Sequence, residues 1–342
     1  MQGPASPSAL RPVILWLLTG CVLIACMVAI GGITRLTGSG LSITVWDPIM
    51  GAVPPMNEAA WQEAFDKYKQ IPEYTLKNFN MDLEGFKRIF FWEYLHRNWG
   101  RLMGLVFIIP FLIFLRKGLL RGWLKQRALV ILIGGGLVGA LGWFMVKSGL
   151  SDDPDVSHFR LAIHLCAAFT VFSIVLWTVL DIRKGRRALA GNGTPAAFWG
   201  RALLLLLLLQ IVWGAFTAGL DAGRIYNTWP LMNGSFMPEN VRAFGDLLVD
   251  LTDHRDGVQF VHRNLAWAVA AGFVIYAVRM RSALGGLWGW LVLGVLIQFV
   301  LGVFTVLWQV PLVLGVLHQF GALLLMALLL MALHRTGKFI AT

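Results

Sequence analysis

The sequence predicts an all-α integral membrane protein, with eight transmembrane helices forming two pseudo-symmetric four-helix bundles. Three observations carry this: apolar runs of membrane-spanning length, loop charges that alternate in character, and motifs that recur in two halves. Of 342 residues, 57% are hydrophobic and 14% charged, whereas a soluble domain carries roughly a quarter charged residues. A mean hydropathy of +0.69 points the same way.

A helix needs about 20 mostly apolar residues to cross a bilayer. Eight runs qualify, near 12–33, 89–114, 127–148, 159–181, 200–220, 259–279, 284–308 and 311–333. The first is too long for the apolar part of a signal peptide and is followed by no clear cleavage site, so it reads as the first span. The last two leave only Gln309, Val310 and Pro311 for a tight turn. Gly135 and Gly139 form a small-xxx-small pair, expected to let helices approach closely.

The net charge of +11 would suit a nucleic-acid partner, but its distribution argues against one. Arg116, Lys117, Arg121, Lys125 and Arg127 follow span 2 with no acid, and Arg183, Lys184, Arg186, Arg187 and Arg201, with one acid, Asp181, follow span 4. Arg279 and Arg281 follow span 6, and Arg335 and Lys338 follow span 8. The alternate loops carry Asp152, Asp153, Asp155, Asp246, Asp250, Asp253 and Asp256. Basic loops stay cytoplasmic, so both termini are expected in the cytoplasm; the expected location is a cell inner membrane. The two long loops, about 35–88 and 221–258, then face the other side. Cys21, Cys26 and Cys166 all lie in apolar runs, which argues against an exposed disulfide framework.

The halves echo each other. Thr34 answers Thr217 and Trp46 answers Trp229, both at an offset of 183 residues. His96-Arg97-Asn98 answers His262-Arg263-Asn264, early in the second span of each half. The expected organisation is an N-terminal unit at 12–182, a basic linker at 183–199 and a C-terminal unit at 200–334.

His158, His254 and His334 lie in loops or at span ends and read as exposed or interfacial. His96, His164, His262 and His318 lie inside apolar runs, one in each even-numbered span. Counted from Arg88, Asp256 and Pro311 at about 1.5 Å per residue, His96, His262 and His318 are roughly 9–12 Å deep, with His164 at a similar level after Asp155. Ionisable residues at membrane depth are rare and mark function. A zinc site would draw three or four ligands together. One histidine from each of two facing helices suits a haem instead, with the imidazoles on opposite axial positions. Arg97 and Arg263, beside the ligands, suit haem propionates or interfacial snorkelling equally well.

The halves differ at one position. Glu93 precedes His96 by three residues, where Gln259 precedes His262. Residues three apart share a helix face, so an acid accompanies only the first histidine pair. Chemistry in the first unit follows from this; a salt bridge from Glu93 to Arg97 is the alternative.

Glu93-Tyr94-Leu95-His96-Arg97, the repeated His-Arg-Asn and the run Gly31–Ser42 together resemble the haem A synthase family. The form resembled is the cysteine-poor one of mitochondria and many proteobacteria. That resemblance covers nearly the whole chain. It implies oxidation of a ring methyl group of haem O to a formyl group, giving haem A for cytochrome oxidase, with water as the oxygen source. It also implies haem b as cofactor on His262 and His318, the substrate near His96 and His164, and Glu93 as the essential acid. No cysteine stands in either long loop, unlike members with a loop cysteine pair. Electrons would then pass through the second haem to a quinone or a protein acceptor. The partners expected are haem O, membrane lipid, a haem O synthase and that acceptor; further copies of the chain are left open. Two other classes fit the histidines: a dihaem quinol-oxidising carrier of the cytochrome b type, and a haem transporter or chaperone.

Overall fold

The computed structural model describes residues 9–45, 50–150, 156–188 and 194–340. Twelve α-helices are present among them. They are α1 (Arg11–Leu36), α2 (Glu58–Tyr68), α3 (Pro72–Leu76), α4 (Leu83–Arg116), α5 (Gly122–Gly149) and α6 (His158–Lys184). After these come α7 (Pro195–Gly219), α8 (Leu247–Thr252), α9 (Arg255–Arg279), α10 (Arg281–Leu284), α11 (Leu287–Leu307) and α12 (Leu312–Thr336). Eight of them, α1, α4, α5, α6, α7, α9, α11 and α12, are long and apolar enough to cross a membrane.

The helix starts follow local chemistry. Asn57, Asp82 and Thr194 each accept a hydrogen bond from a backbone N–H three residues on, replacing a partner that the first helical turn lacks. The Asp82 cap starts α4 at Leu83, ahead of the apolar run expected from 89. The turn between α11 and α12 is as tight as expected. It places Gln309 and Val310 at φ of +59°, and the Val310 N–H donates back to the Thr305 carbonyl at 2.7 Å. Positive φ is costly for a β-branched residue, so this turn is held by its packing.

Within the first half, α1 packs on α4, α4 on α5, α5 on α6, and α6 back on α1. The second half repeats that order through α7, α9, α11 and α12. The halves meet along α1, α6, α7 and α12, with α6 and α12 also in direct contact. A single apolar core runs through that meeting place, from Trp16, Leu17 and Phe169 to Phe273, Leu323 and Met326.

Several expectations are corrected here. Gly135 and Gly139 face open space and make no close helix approach. It is Gly134, against Val171, and Gly142, against His164, that let α5 and α6 come together. His334 and His158 are buried, not exposed. His334 Nε2 lies 3.0 Å from Asp181 Oδ1, and His158 Nε2 lies 2.9 Å from the Thr252 carbonyl. His254 is only partly exposed. All three lie near helix termini, which tertiary packing covers. The Trp46 side of the Trp46–Trp229 echo, and Asp152, Asp153 and Asp155, lie outside the described residues.

The two long loops are not bare. In the first, α2 and the turn into α3 pack through Phe65, Tyr68 and Ile71 onto Leu41, Phe86, Ile89 and Phe90. In the second, buried Asp250 accepts from the Phe244 N–H at 2.9 Å and from Arg242 at 3.3 Å. Each loop is therefore a packed cap over one end of its helices.

Candidate functional site

The four histidines lie on α4, α6, α9 and α12, each half-buried and each set against a glycine of a neighbouring helix. His96 lies over Gly31 of α1, His164 over Gly142 of α5, His262 over Gly214 of α7 and His318 over Gly302 of α11. A Cβ at these glycines would stand 2.8–3.2 Å from the ring. At Gly302 the ring would have to shift, and at the other three it would have to give by a few tenths of an ångström.

His262 and His318 converge, with ring centroids 6.3 Å apart and planes at 89°. Metal–imidazole bonds of about 2.0–2.1 Å on opposite sides of one ion put the ring centres about 6 Å apart. The observed spacing fits that arrangement, so the donor set suits an iron held by two axial imidazoles. His96 and His164 lie within electrostatic reach of each other.

Two carboxamides complete the second pair. Gln210 Nε2 lies 3.2 Å from His262 Nδ1 and donates to the His262 carbonyl at 3.1 Å. Gln298 Nε2 lies 3.2 Å from His318 Nδ1 and donates to the His318 carbonyl at 2.8 Å. Sequence reasoning missed both glutamines. Each stands four residues before the glycine facing its histidine, as Gln-x-x-x-Gly at 210–214 and 298–302, and that spacing was the available signal.

The arginines beside the ligands hold the loop caps. Arg97 donates to the carbonyls of Ile43 at 2.9 Å and Val45 at 3.4 Å. Arg263 donates to the carbonyls of Tyr226 at 3.3 Å and Thr228 at 2.7 Å. Ile43 and Tyr226, like Val45 and Thr228, are 183 residues apart. The repeat thus extends from the motifs to the backbone atoms they grip.

Glu93 is buried and fully engaged. It forms the salt bridge to Arg97 left open by the sequence, at 2.5 Å. Its Oε2 also accepts from Ser42 Oγ at 2.7 Å and from the Ile43 N–H at 2.8 Å. Gln259 reverses the polarity, donating through Nε2 to the Tyr226 carbonyl at 3.1 Å. Acid and amide therefore do the same mechanical job on equivalent loop residues, but only the first half carries a charge there.

A second carboxyl lies in the first cap. Glu73 of α3 is buried and accepts from the Tyr68 hydroxyl at 3.2 Å, which in turn accepts from Asn78 at 2.7 Å. Burial raises the Glu73 carboxyl to about 7; the Tyr68 bond opposes this, and the charge of Glu93 adds to it. In the second cap, burial and the hydrogen bond to Asp256 push the Tyr226 hydroxyl up to about 12.

Eight membrane-length helices define a multi-pass membrane protein, and one half brings two imidazoles to a spacing that two ligands of one metal ion would have. The chain belongs to the COX15-CtaA family, described as cytochrome oxidase assembly proteins, whose sequence model matches residues 14–330. It is 46% identical to a protein of Flavobacterium johnsoniae named heme A synthase, over 96% of this chain and 98% of that protein. Similarity to proteins of the same name extends to Parvibaculum lavamentivorans, at 43% identity over 94% of each chain. It extends also to Nitrosospira multiformis, at 41% over 96% of this chain and 94% of that one.

Proposed function

We propose that the chain is a haem A synthase, oxidising a ring methyl group of haem O to a formyl group and so supplying haem A to cytochrome oxidase. Full-length similarity to proteins of that name carries the reading, and the paired, glycine-backed imidazoles support it. The first unit, 12–182, takes haem O as substrate between His96 and His164. The second, 200–334, holds haem b between His262 and His318. The 183–199 segment links the two.

Converting a methyl to a formyl group with water as oxygen source releases four electrons and four protons. His262 and His318 would hold haem b, which when bound would supply the redox chemistry that delivers electrons toward a quinone or a protein acceptor. The chain's own residues position and deprotonate. Arg97 and Arg263 hold the caps down over the two sites, which keeps water access local. Glu93 acts as base toward a water or the hydroxylated substrate, taking the proton at Oε2, where the Ser42 hydroxyl now donates. The basic loops favour an inner-membrane orientation with both termini in the cytoplasm, which leaves the caps on the opposite side. A haem O synthase is the natural donor partner, and assembly with further copies is compatible with this arrangement.

The network around Glu93 favours a second reading of that residue, as the anchor of the Ser42–Val45 segment. Two variants separate the readings. Glu93→Ala removes base and anchor and should stop conversion with the haem b spectrum intact. Glu93→Gln copies the second half and keeps a polar side chain of the same shape. No conversion in Glu93→Gln supports the base; near-normal conversion makes Glu93 an anchor. Pigment identification by mass tests the function itself. Haem O with haem A or its hydroxylated intermediate supports the synthase. Haem B alone with rapid quinol oxidation points to a carrier, and haem released unchanged points to a transporter.

A further inference from the structure

The second half holds its imidazoles in a way that the first does not. In each half a histidine lies on a glycine of the neighbouring helix, and the residue four positions before that glycine lies one turn away on the same helix face. In the second half those residues are Gln210 and Gln298. In the first half they are Met27, before Gly31, and Val138, before Gly142. Met27 and Gln210 are related by the same 183-residue offset that relates Gly31 to Gly214.

The contacts follow the residues. Each glutamine amide spans the ring nitrogen and the backbone carbonyl of one histidine, fixing the ring about its side-chain bonds. His164 Nδ1, by contrast, is buried and meets no side-chain group, only the backbone of Val138, a backbone contact that Gln210 and Gln298 also offer to His262 and His318. The isopropyl side chain of Val138 adds no N–H or C=O of its own for His164, and the thioether of Met27 adds none for His96. The Oε1 atoms of Gln210 and Gln298 are buried and unpartnered. A metal on the histidine Nε2 would leave the proton on Nδ1; turning the carboxamide would then let the free oxygen accept from Nδ1, in place of the contact that the glutamine Nε2 makes there now.

We propose that Gln210 and Gln298 are positioning residues that lock His262 and His318 for a permanently held haem, and that Met27 and Val138 leave the first pair free to release its haem. This rests on the two-site reading above and adds a physical reason for it. A cofactor site must retain its haem through many turnovers, whereas a substrate site must exchange it in every one. Partners of ligating histidines in other metal sites typically change metal affinity 10–100-fold when lost, which is enough to separate the two behaviours.

The test uses the full chain, purified in detergent from cells that make both haem B and haem O. Haem transfer to excess apomyoglobin is followed, with each pigment identified by mass. In Gln210→Leu and Gln298→Leu, haem B should leave at least about tenfold faster than in the unsubstituted protein. The low-spin electron paramagnetic resonance signal of that haem should broaden as the rings reorient. Gln210→Glu and Gln298→Glu, which keep an acceptor oxygen, should restore retention. In the opposite direction, Val138→Gln should slow the release of haem O. Unchanged haem B transfer and an unchanged signal in both leucine variants would overturn the proposal. His262→Ala and His318→Ala serve as the control. If they keep their haem B, the assignment of the second site fails; if they lose it while the leucine variants behave normally, only the locking role fails.

Discussion

Arg35, in the last turn of α1, donates to the carbonyl of Ala218 at 2.9 Å, and the two are separated by the 183 residues of the internal repeat. The same guanidinium reaches the Gly219 carbonyl at 3.0 Å and Asp221 at 3.3 Å. A residue that grips its own counterpart stands where the halves meet. Arg35→Met should therefore loosen that junction. The group is about one-third exposed, so solvent screening keeps the loss near 1 kcal/mol, seen as a melting point a few degrees lower in detergent.

The glycines behind the imidazoles are sensitive to one added carbon. A Cβ on Gly302 would stand 2.8 Å from His318 Cε1, closer than unstrained packing allows, so the ring must move. Gly302→Ala should lose most of the haem b absorbance while remaining folded. Gly135→Ala, where a Cβ meets nothing, should leave the spectrum unchanged, and the ratio of Soret to protein absorbance reads both.

Glu73 makes stability depend on pH. Its carboxyl is raised from 4.5 to about 7 by burial, so between those values the folded protein keeps a proton that the unfolded chain has released. Stability from this group is therefore full below about pH 4.5, falls as pH rises toward 7, and is level above that. The charges that bear on it are Glu93, Lys77 and Arg35. The Tyr68 hydroxyl bonds it directly. Glu73→Gln should abolish the slope and gain about 2–3 kcal/mol on the parent between pH 4.5 and 8, measurable by thermal melting at several pH values.

Asp181 binds the ends of three membrane helices to the linker. Its carboxylate meets His334 of α12 at 3.0 Å, Arg127 of α5 at 3.6 Å and the Arg187 N–H of the linker at 3.1 Å. The side chain is 1% exposed. Asp181→Ala leaves buried donors without an acceptor, which typically costs about 3–5 kcal/mol. Reduced yield and a lower melting point should follow. Haem in surviving folded protein should be normal, because the cluster lies at the end of the bundle away from the caps.

Opening the arginine clamp should act on the first site alone. Arg97→Leu frees the carbonyls of Ile43 and Val45 and leaves Glu93 without its ion pair. Haem b content should hold while conversion of haem O falls at least about tenfold, in line with the loss of a positioned group. Arg263→Leu, which opens the second clamp, should lower haem b content and conversion with it.

The sequence by itself determined the eight membrane-length helices, the four histidines in alternate spans and the doubled His-Arg-Asn, because apolar length and a repeated motif are local properties that need no partner. It also showed the Glu93–Gln259 difference, since i and i+3 on a helix share a face whatever surrounds them. Only the tertiary structure decided who meets whom. Ile43, Val45, Tyr226 and Thr228 act through backbone carbonyls, which carry no residue signature, so the arginine clamps were illegible. Gln210 and Gln298 looked like isolated polar residues until α9 and α12 brought imidazoles against them. His334 and His158 sit near helix ends, where a linear reading sees solvent and packing supplies burial. Contacts between distant segments depend on how helices cross, and no local periodicity encodes that.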